Sequence, residues 1–297
     1  MRAFLIVVAI TILAEHGYTQ ILPEPGVCGI SVIAPTSTAR IVNGETAIRH
    51  SRPYQLLLVG FTPEGTAKSY CGASLIKPTH VLTAAHCVAG YDAKDLRVFP
   101  GLHEFDTSHV LNVQNGIPAQ KYFSHESYNA NSLSNDVAVI RLSIPVQVDN
   151  HRIGLACLPD DKSEACGVGH PVVASGWGST TGNPNRTSAS RPTELQQVAL
   201  QCVDAKSTDC KKLTHILSII QDKSKMCAYG EWKSVCFGDS GGPLVREKRL
   251  SDGTRYVEQV GIMSGTIDCS FTKPHPDLYA DVRYLMPWIR SKIQASP

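Results

Sequence analysis

Short apolar runs recur along this chain: Tyr54–Val59, Ala73–Ile76, Val81–Ala84, Val137–Leu142, Val172–Ala174, Val257–Met263 and Leu278–Val282. Gly, Pro, Asn and Asp separate them, and runs this brief predict strands rather than helices. The pattern predicts a mostly antiparallel β protein, as one large domain or two modest ones. One segment keeps a different period. In Tyr284–Gln294 (YLMPWIRSKIQ), Leu285, Trp288, Ile289 and Ile293 share a face at helical spacing, which predicts a C-terminal helix over 284–294. Between Ser175 and Thr193 (SGWGSTTGNPNRTSASRPT) the composition turns to Gly, Ser, Thr, Pro and Asn, which predicts an exposed loop.

The start of the chain follows another logic. Arg2, the apolar run Phe4–Ala14 and then Glu15 and His16 read as a secretory signal peptide over 1–20, too short to span a bilayer. Ten cysteines without a C-x-x-C pair argue against zinc ribbons and redox centres, and predict five disulfides formed in an oxidising compartment. A net charge of +2 over 297 residues, with no Lys/Arg block, gives no support to nucleic-acid or anionic-membrane binding. The stretch STARIVNGETA places Arg40 before Ile41-Val42-Asn43-Gly44. Two β-branched residues followed by Asn-Gly suit neither a helix start nor a buried strand, so the site reads as a cleavage point.

The chemistry lies in three strings. CFGDSGGPL holds Ser240 among Gly238, Gly241 and Gly242, where backbone N–H groups can face a developing oxyanion. Serine alone is a weak nucleophile and needs a base and an orienting acid. LTAAHC offers His86, and SNDVAVIRL offers Asp136 at the mouth of a strand. Singly, each string reads as a structural histidine, a turn or a tight glycine loop. In the order His86, Asp136, Ser240 they match a known triad order, in which acid orients base and base activates serine. An α/β-hydrolase reading, with Asp252 or Asp268 and His275 after Ser240, fails because Pro243 and the strand-like residues that follow supply no helix after the nucleophile.

With IVNGETA, CGASLI, LTAAHC, NDVAVIRL, ACLP, SGWG, GDSGGPLV and Trp288-Ile289 in order, the chain resembles the chymotrypsin/trypsin family of serine proteases from Ile41 to about Ile293. The resemblance implies an all-β fold of two antiparallel six-stranded barrels, about 41–155 and about 165–285, with the active site between them. It implies catalysis by His86, Asp136 and Ser240 and an oxyanion hole from the N–H groups of Gly238 and Ser240. It implies a propeptide over 21–40 and a cut after Arg40, freeing an Ile41 amine that pairs with Asp239 and completes the hole, so that the uncut chain is an inactive zymogen. The partners implied are protein or peptide substrates, a trypsin-like activator and protein protease inhibitors; the enzyme is expected as a secreted monomer without a cofactor. A non-catalytic homologue is the alternative, but such proteins usually lack a triad residue and this chain lacks none.

The resemblance also pairs Cys28 with Cys157, Cys71 with Cys87, Cys210 with Cys227 and Cys236 with Cys269, leaving Cys166 and Cys202 for each other. The family's usual bond across the positions of Val172 and Arg246 is missing. At the specificity pocket, Ser234 stands at the base where trypsins carry Asp, Thr266 where a wall glycine is usual, Gly265 where an aromatic is usual, and Asp277 at a second base position, as in an elastase that shares Val235 to Gly238 with its Phe237. Ser264 is expected to offer its backbone carbonyl. A solvent-reachable Asp277 would attract a basic side chain; an Asp277 shielded behind Thr266 and bonded to Ser234 would leave a mid-sized apolar pocket, the favoured case, with chymotrypsin-like preference as a further alternative. Asn185 lies in a sequon that allows glycosylation. No metal is expected, since Leu102 replaces the first carboxylate of the calcium loop of some relatives.

Overall fold

Period-two alternation sends Leu56 and Leu58 of β2 (Gln55–Phe61) to one side and Leu57, Val59 and Phe61 to the other, and every residue of the strand is buried. Fully burying such a side chain contributes roughly 1.5–3 kcal/mol relative to leaving it exposed. The computed structural model describes residues 21–33, 44–105, 112–180, 191–204, 210, 222–266 and 275–296. Positions 1–20, Arg40, Ile41, Asn185 and Cys269, to which the sequence assigns a signal, a cut, a glycan and a disulfide, lie outside them.

After β1 (Glu45–Thr46), β2 pairs with β3 (Ala67–Lys77) and β5 (Leu96–Pro100). With β4 (His80–Thr83), β6 (Ile117–Ser124) and β7 (Ala138–Leu142) they close an antiparallel barrel in the order β2-β3-β4-β7-β6-β5. A second ring runs through β8 (Pro171–Gly176), β9 (Gln196–Val203), β10 (Lys225–Tyr229), β13 (Asp277–Asp281), β12 (Arg255–Gly265) and β11 (Pro243–Arg249), and closes where β11 pairs with β8. Strand β1 adds to β9. The fold is therefore two six-stranded antiparallel barrels. Helices α1 (Ala85–Val88) and α2 (Val282–Gln294) accompany them, and Cys210 is also helical.

Buried side-chain hydrogen bonds fix one barrel against the other, three of them away from the triad. Ser74 donates to Gln259 Oε1 (2.6 Å), Ser175 to Gln55 Oε1 (2.7 Å) and Arg52 Nε to Gln197 Oε1 (2.9 Å). Each polar group is satisfied only when the barrels keep this register, so a shift would leave buried donors and acceptors bare. The segment before β1 is pinned separately. Cys28 is bonded to Cys157, and Gly29 N–H donates to Leu155 O (2.6 Å) while its carbonyl accepts from Val257 N (3.0 Å).

Two expectations need correction. The terminal helix starts at Val282, two residues early, because the Asp281 carboxylate accepts from Tyr284 N (3.1 Å) and caps the first turn. The Gly/Ser-rich stretch does not begin exposed: Ser175 and Gly176 belong to β8, and Trp177 is one of the largest fully buried side chains. Its Nε1 donates to His103 O (3.0 Å), and its ring joins Leu57, Phe99 and Leu195 in one cluster, so a single indole draws the start of a polar segment inward.

Candidate active site

Strand β4 ends at Thr83 and the chain turns at once into α1, which carries His86 at the barrel's rim. Asp136 precedes β7, the strand paired with β4, so sheet pairing alone brings acid and base together. His86 Nδ1 lies 2.7 Å from Asp136 Oδ2, and His86 N–H donates to Oδ1 (3.0 Å). Ser264, on β12 of the second barrel, donates its hydroxyl to Oδ2 (2.5 Å). The carboxylate is buried and the imidazole half-buried. Burial, the largest influence on His86, opposes its charge, but the charge of Asp136 and their hydrogen bond together outweigh it and hold its pKa above the ordinary histidine value. The bond from Nδ1 to the Asp136 carboxylate keeps the proton on Nδ1 and leaves Nε2 as the basic nitrogen, while the backbone bond anchors His86 to the same carboxylate.

Ser240 comes from the second barrel. Its carbonyl accepts from Gly72 N on β3 (2.7 Å), and Gly241 (φ 78°) lies so close to the first barrel that a Cβ there would sit 2.3 Å from Thr83 Oγ1 and 3.0 Å from Cys87 Sγ. Only glycine fits this contact, and it carries the serine to the edge of α1. Among the described residues no hydrogen bond joins Ser240 to His86, whose Nε2 lies 3.7 Å from Cys87 Sγ. Catalytic hydrogen bonds of this kind commonly tighten only when substrate is bound. The N–H groups of Gly238 (φ 106°) and Ser240 donate to no protein group among the described residues, so both are free to receive an oxyanion. Ligand-type atoms of Cys71, His86 and Cys87 lie within 4.8 Å of one another, but the two sulfurs are bonded to each other, which removes the thiolates a metal would need.

Asp277 and Ser234 are both buried. Ser234 donates to Asp277 Oδ1 (2.6 Å) and Val235 N–H to Oδ2 (3.1 Å). Burial pushes the Asp277 carboxyl up to about 7, against the pull of Ser234, Val235, Thr266 and the charge of His275. Val235 is buried and Phe237 exposed. A Cβ on Gly265 would lie 3.1 Å from Leu133 Cδ1, so the glycine makes room for a leucine from the loop before Asp136. The Ser264 hydroxyl is taken up by Asp136, a role that the sequence reading, which gave Ser264 only its carbonyl, missed.

Disulfides brace these loops. Cys71–Cys87 ties β3 to α1 beside His86, Cys210–Cys227 anchors β10, and Cys166–Cys202 ties the entry to β8 onto β9. Cys236, next to Phe237, is also disulfide-bonded. Where the family's further bond is missing, Val172 is core, and Arg246 donates from Nε and Nη2 to Glu258 Oε1 (2.9 and 2.5 Å). Ser163 (2.8 Å) and Lys248 (3.1 Å) bond the other oxygen of that buried carboxylate. Nothing in the spacing of these residues announces the network; it exists only once β11 and β12 pair.

The family model described as Trypsin matches residues 41–289. The chain is 32% identical to chymotrypsin-C of Rattus norvegicus over 96% of its own length and 98% of the relative's. It is 33% identical to trypsin of Sarcophaga bullata (88% and 92%) and 30% identical to chymotrypsin-C of Bos taurus (93% and 97%). With two closed barrels and a serine, a histidine and an aspartate gathered where they meet, the chain belongs to the trypsin family of serine endopeptidases.

Proposed function

We propose that this protease is secreted as a zymogen and, once cut after Arg40 by a trypsin-like activator, cleaves proteins after small to mid-sized apolar residues through an acyl-enzyme. Ser240 attacks the scissile carbonyl, His86 takes its proton and returns it to the leaving amine, Asp136 holds the imidazole, and the Gly238 and Ser240 amides receive the oxyanion. The Ile41 amine, freed by the cut, pairs with Asp239. Residues from Cys28 onward stay attached through Cys157 after activation. A signal over 1–20, the disulfides and the absence, among the described residues, of a helix long and apolar enough to cross a membrane fit export. We include protein protease inhibitors as partners, and a monomeric enzyme.

One observation carries the specificity. Asp277, the one acid assigned to the pocket base, is fully buried, with its oxygens taken by Ser234 and Val235 and its carboxyl pushed up to about 7, so the floor offers no free carboxylate to a lysine or arginine. Thr266 narrows the wall in front of it. A positional-scanning peptide library on the cut enzyme tests this: Val, Ala, Thr, Leu and Met are expected before the scissile bond. Dominant Arg or Lys would overturn the reading, and dominant Phe or Tyr would show that Thr266 leaves the pocket wide.

A further inference from the structure

Arg191 follows the Gly/Ser-rich stretch of sequence after β8, with its guanidinium carbon 4.5 Å from the Tyr70 ring centroid and 5.3 Å from that of Phe105. Its Nη1 is buried and has no hydrogen-bond partner. That nitrogen lies 3.4 Å from where a side chain on Gly238 would begin, and the same point is 3.1 Å from Gly178 Cα. Asp239 borders the same short span of backbone. It is buried, with Oδ1 accepting from Gly178 N (2.8 Å) and Oδ2 from Cys236 N (2.9 Å). Stacking on two rings accounts for the planar stem of Arg191 but not for a buried, unbonded guanidinium nitrogen, which is costly without an opposite charge nearby. No ion-pair contact joins it to Asp239, whose buried carboxylate borders the same backbone and acts on it at longer range. Burial opposes the charged form of each group, raising the Asp239 carboxyl to about 6, and each favours the charged form of the other. Around the pair, the Gly238 and Ser240 amides are free.

We propose that Arg191 is a resident counter-cation for Asp239, which holds the Cys236–Ser240 turn in an oxyanion-ready shape before the chain is cut at Arg40. The inference rests on the activation mechanism above and alters its first state: the uncut chain is not silent, and the Ile41 amine reinforces a carboxylate that already has a partner. Arg191 touches no substrate and acts by positioning the turn.

The test is a cycle on the full chain, comparing the uncleavable Arg40→Gln form with the trypsin-cut enzyme. Each carries Arg191, Arg191→Met, which keeps an apolar stem without charge, or Arg191→Lys, which keeps the charge. The readout is the second-order rate at which a fluorophosphonate labels Ser240. In the uncut form, Arg191→Met is expected to slow labelling about tenfold or more, as loss of a buried charge partner would, with Arg191→Lys restoring most of the rate. In the cut form the same change is expected to cost less than about threefold, since the new amine supplies the charge. Equal losses in both forms would assign Arg191 a merely structural role and overturn the proposal, as would an indifferent uncut form. If cutting raises the rate while Arg191→Met changes nothing, only this proposal falls. If cutting changes no rate with any residue at 191, the activation mechanism falls with it.

Discussion

Asp136 and Asp277 are both fully buried, and each takes hydrogen bonds from a serine hydroxyl and a backbone N–H: Ser264 and His86 N for the first, Ser234 and Val235 N for the second. They differ in the remaining neighbour. Asp136 also meets the imidazole of His86 at 2.7 Å, and its charge lifts that ring's pKa. Asp277 has only neutral donors in bonding contact, with His275 acting at longer range, and its carboxyl is pushed up to about 7. At Asp277 the neutral donors do not offset the desolvation of the buried carboxylate. In the proposed function, one aspartate steers the base and the other is a quiet pocket floor.

The comparison breaks most visibly at Asp136. Replacing it with Asn should leave the fold intact and lower kcat by about 10⁴ by favouring the wrong histidine tautomer, whereas Asp277→Asn should leave kcat on apolar substrates within about tenfold. Steady-state kinetics on purified variants decides between these, and similar losses at both positions would erase the distinction. In wild type the acid limb of kcat/KM should lie above the ordinary histidine value, because neutral His86 is the base and its pKa is raised; Asp136→Asn should move that limb down.

A smaller effect is expected from Ser264→Ala. Losing one hydroxyl donor to a charged group is worth about 1.5–3 kcal/mol, so kcat should fall roughly 10- to 100-fold with KM little changed. An unchanged kcat would show that two bonds from His86 suffice to hold Asp136.

The smallest effect sharpens the Asp277 side. Its folded pKa is raised from the ordinary carboxyl range to about 7, so its contribution to stability is fully present below that range and is lost as pH rises through about 7. Thermal midpoints of wild type should therefore fall more between acid and neutral pH than those of Asp277→Asn, which stays neutral throughout. Parallel curves would contradict the raised pKa.

How much of this was legible in the sequence follows from where the signal was local. Strands whose apolar residues are contiguous, such as Leu56–Val59 and Val137–Ile140, announce themselves. Strands β5, β6, β9 and β10 do not: Gln196–Val203 is interrupted by glutamines, and Lys225–Tyr229 opens on a buried lysine that meets Asp222 at 3.2 Å and donates to Ser132 O. The three triad residues stand in strings that are ambiguous singly and specific together. Arg191 carried no sequence signal, since the Gly/Ser-rich sequence before it has no periodicity and Asp239, its proposed partner, is distant in the chain. Trp177 was hidden by its polar neighbours, and the Arg246–Glu258 pair by the strand pairing that creates it.

The central claim is that Ser240, served by His86 and Asp136, is the nucleophile of a peptide-bond hydrolase. The most direct test is to treat the trypsin-cut enzyme with a fluorophosphonate, locate the adduct by peptide mass mapping and follow amide hydrolysis in parallel. The account predicts one equivalent of label on Ser240, with hydrolysis lost in proportion, and a Ser240→Ala variant that takes no label and retains only about 10³–10⁴ over the uncatalysed rate. Label at another residue, or wild-type turnover in Ser240→Ala, would contradict it.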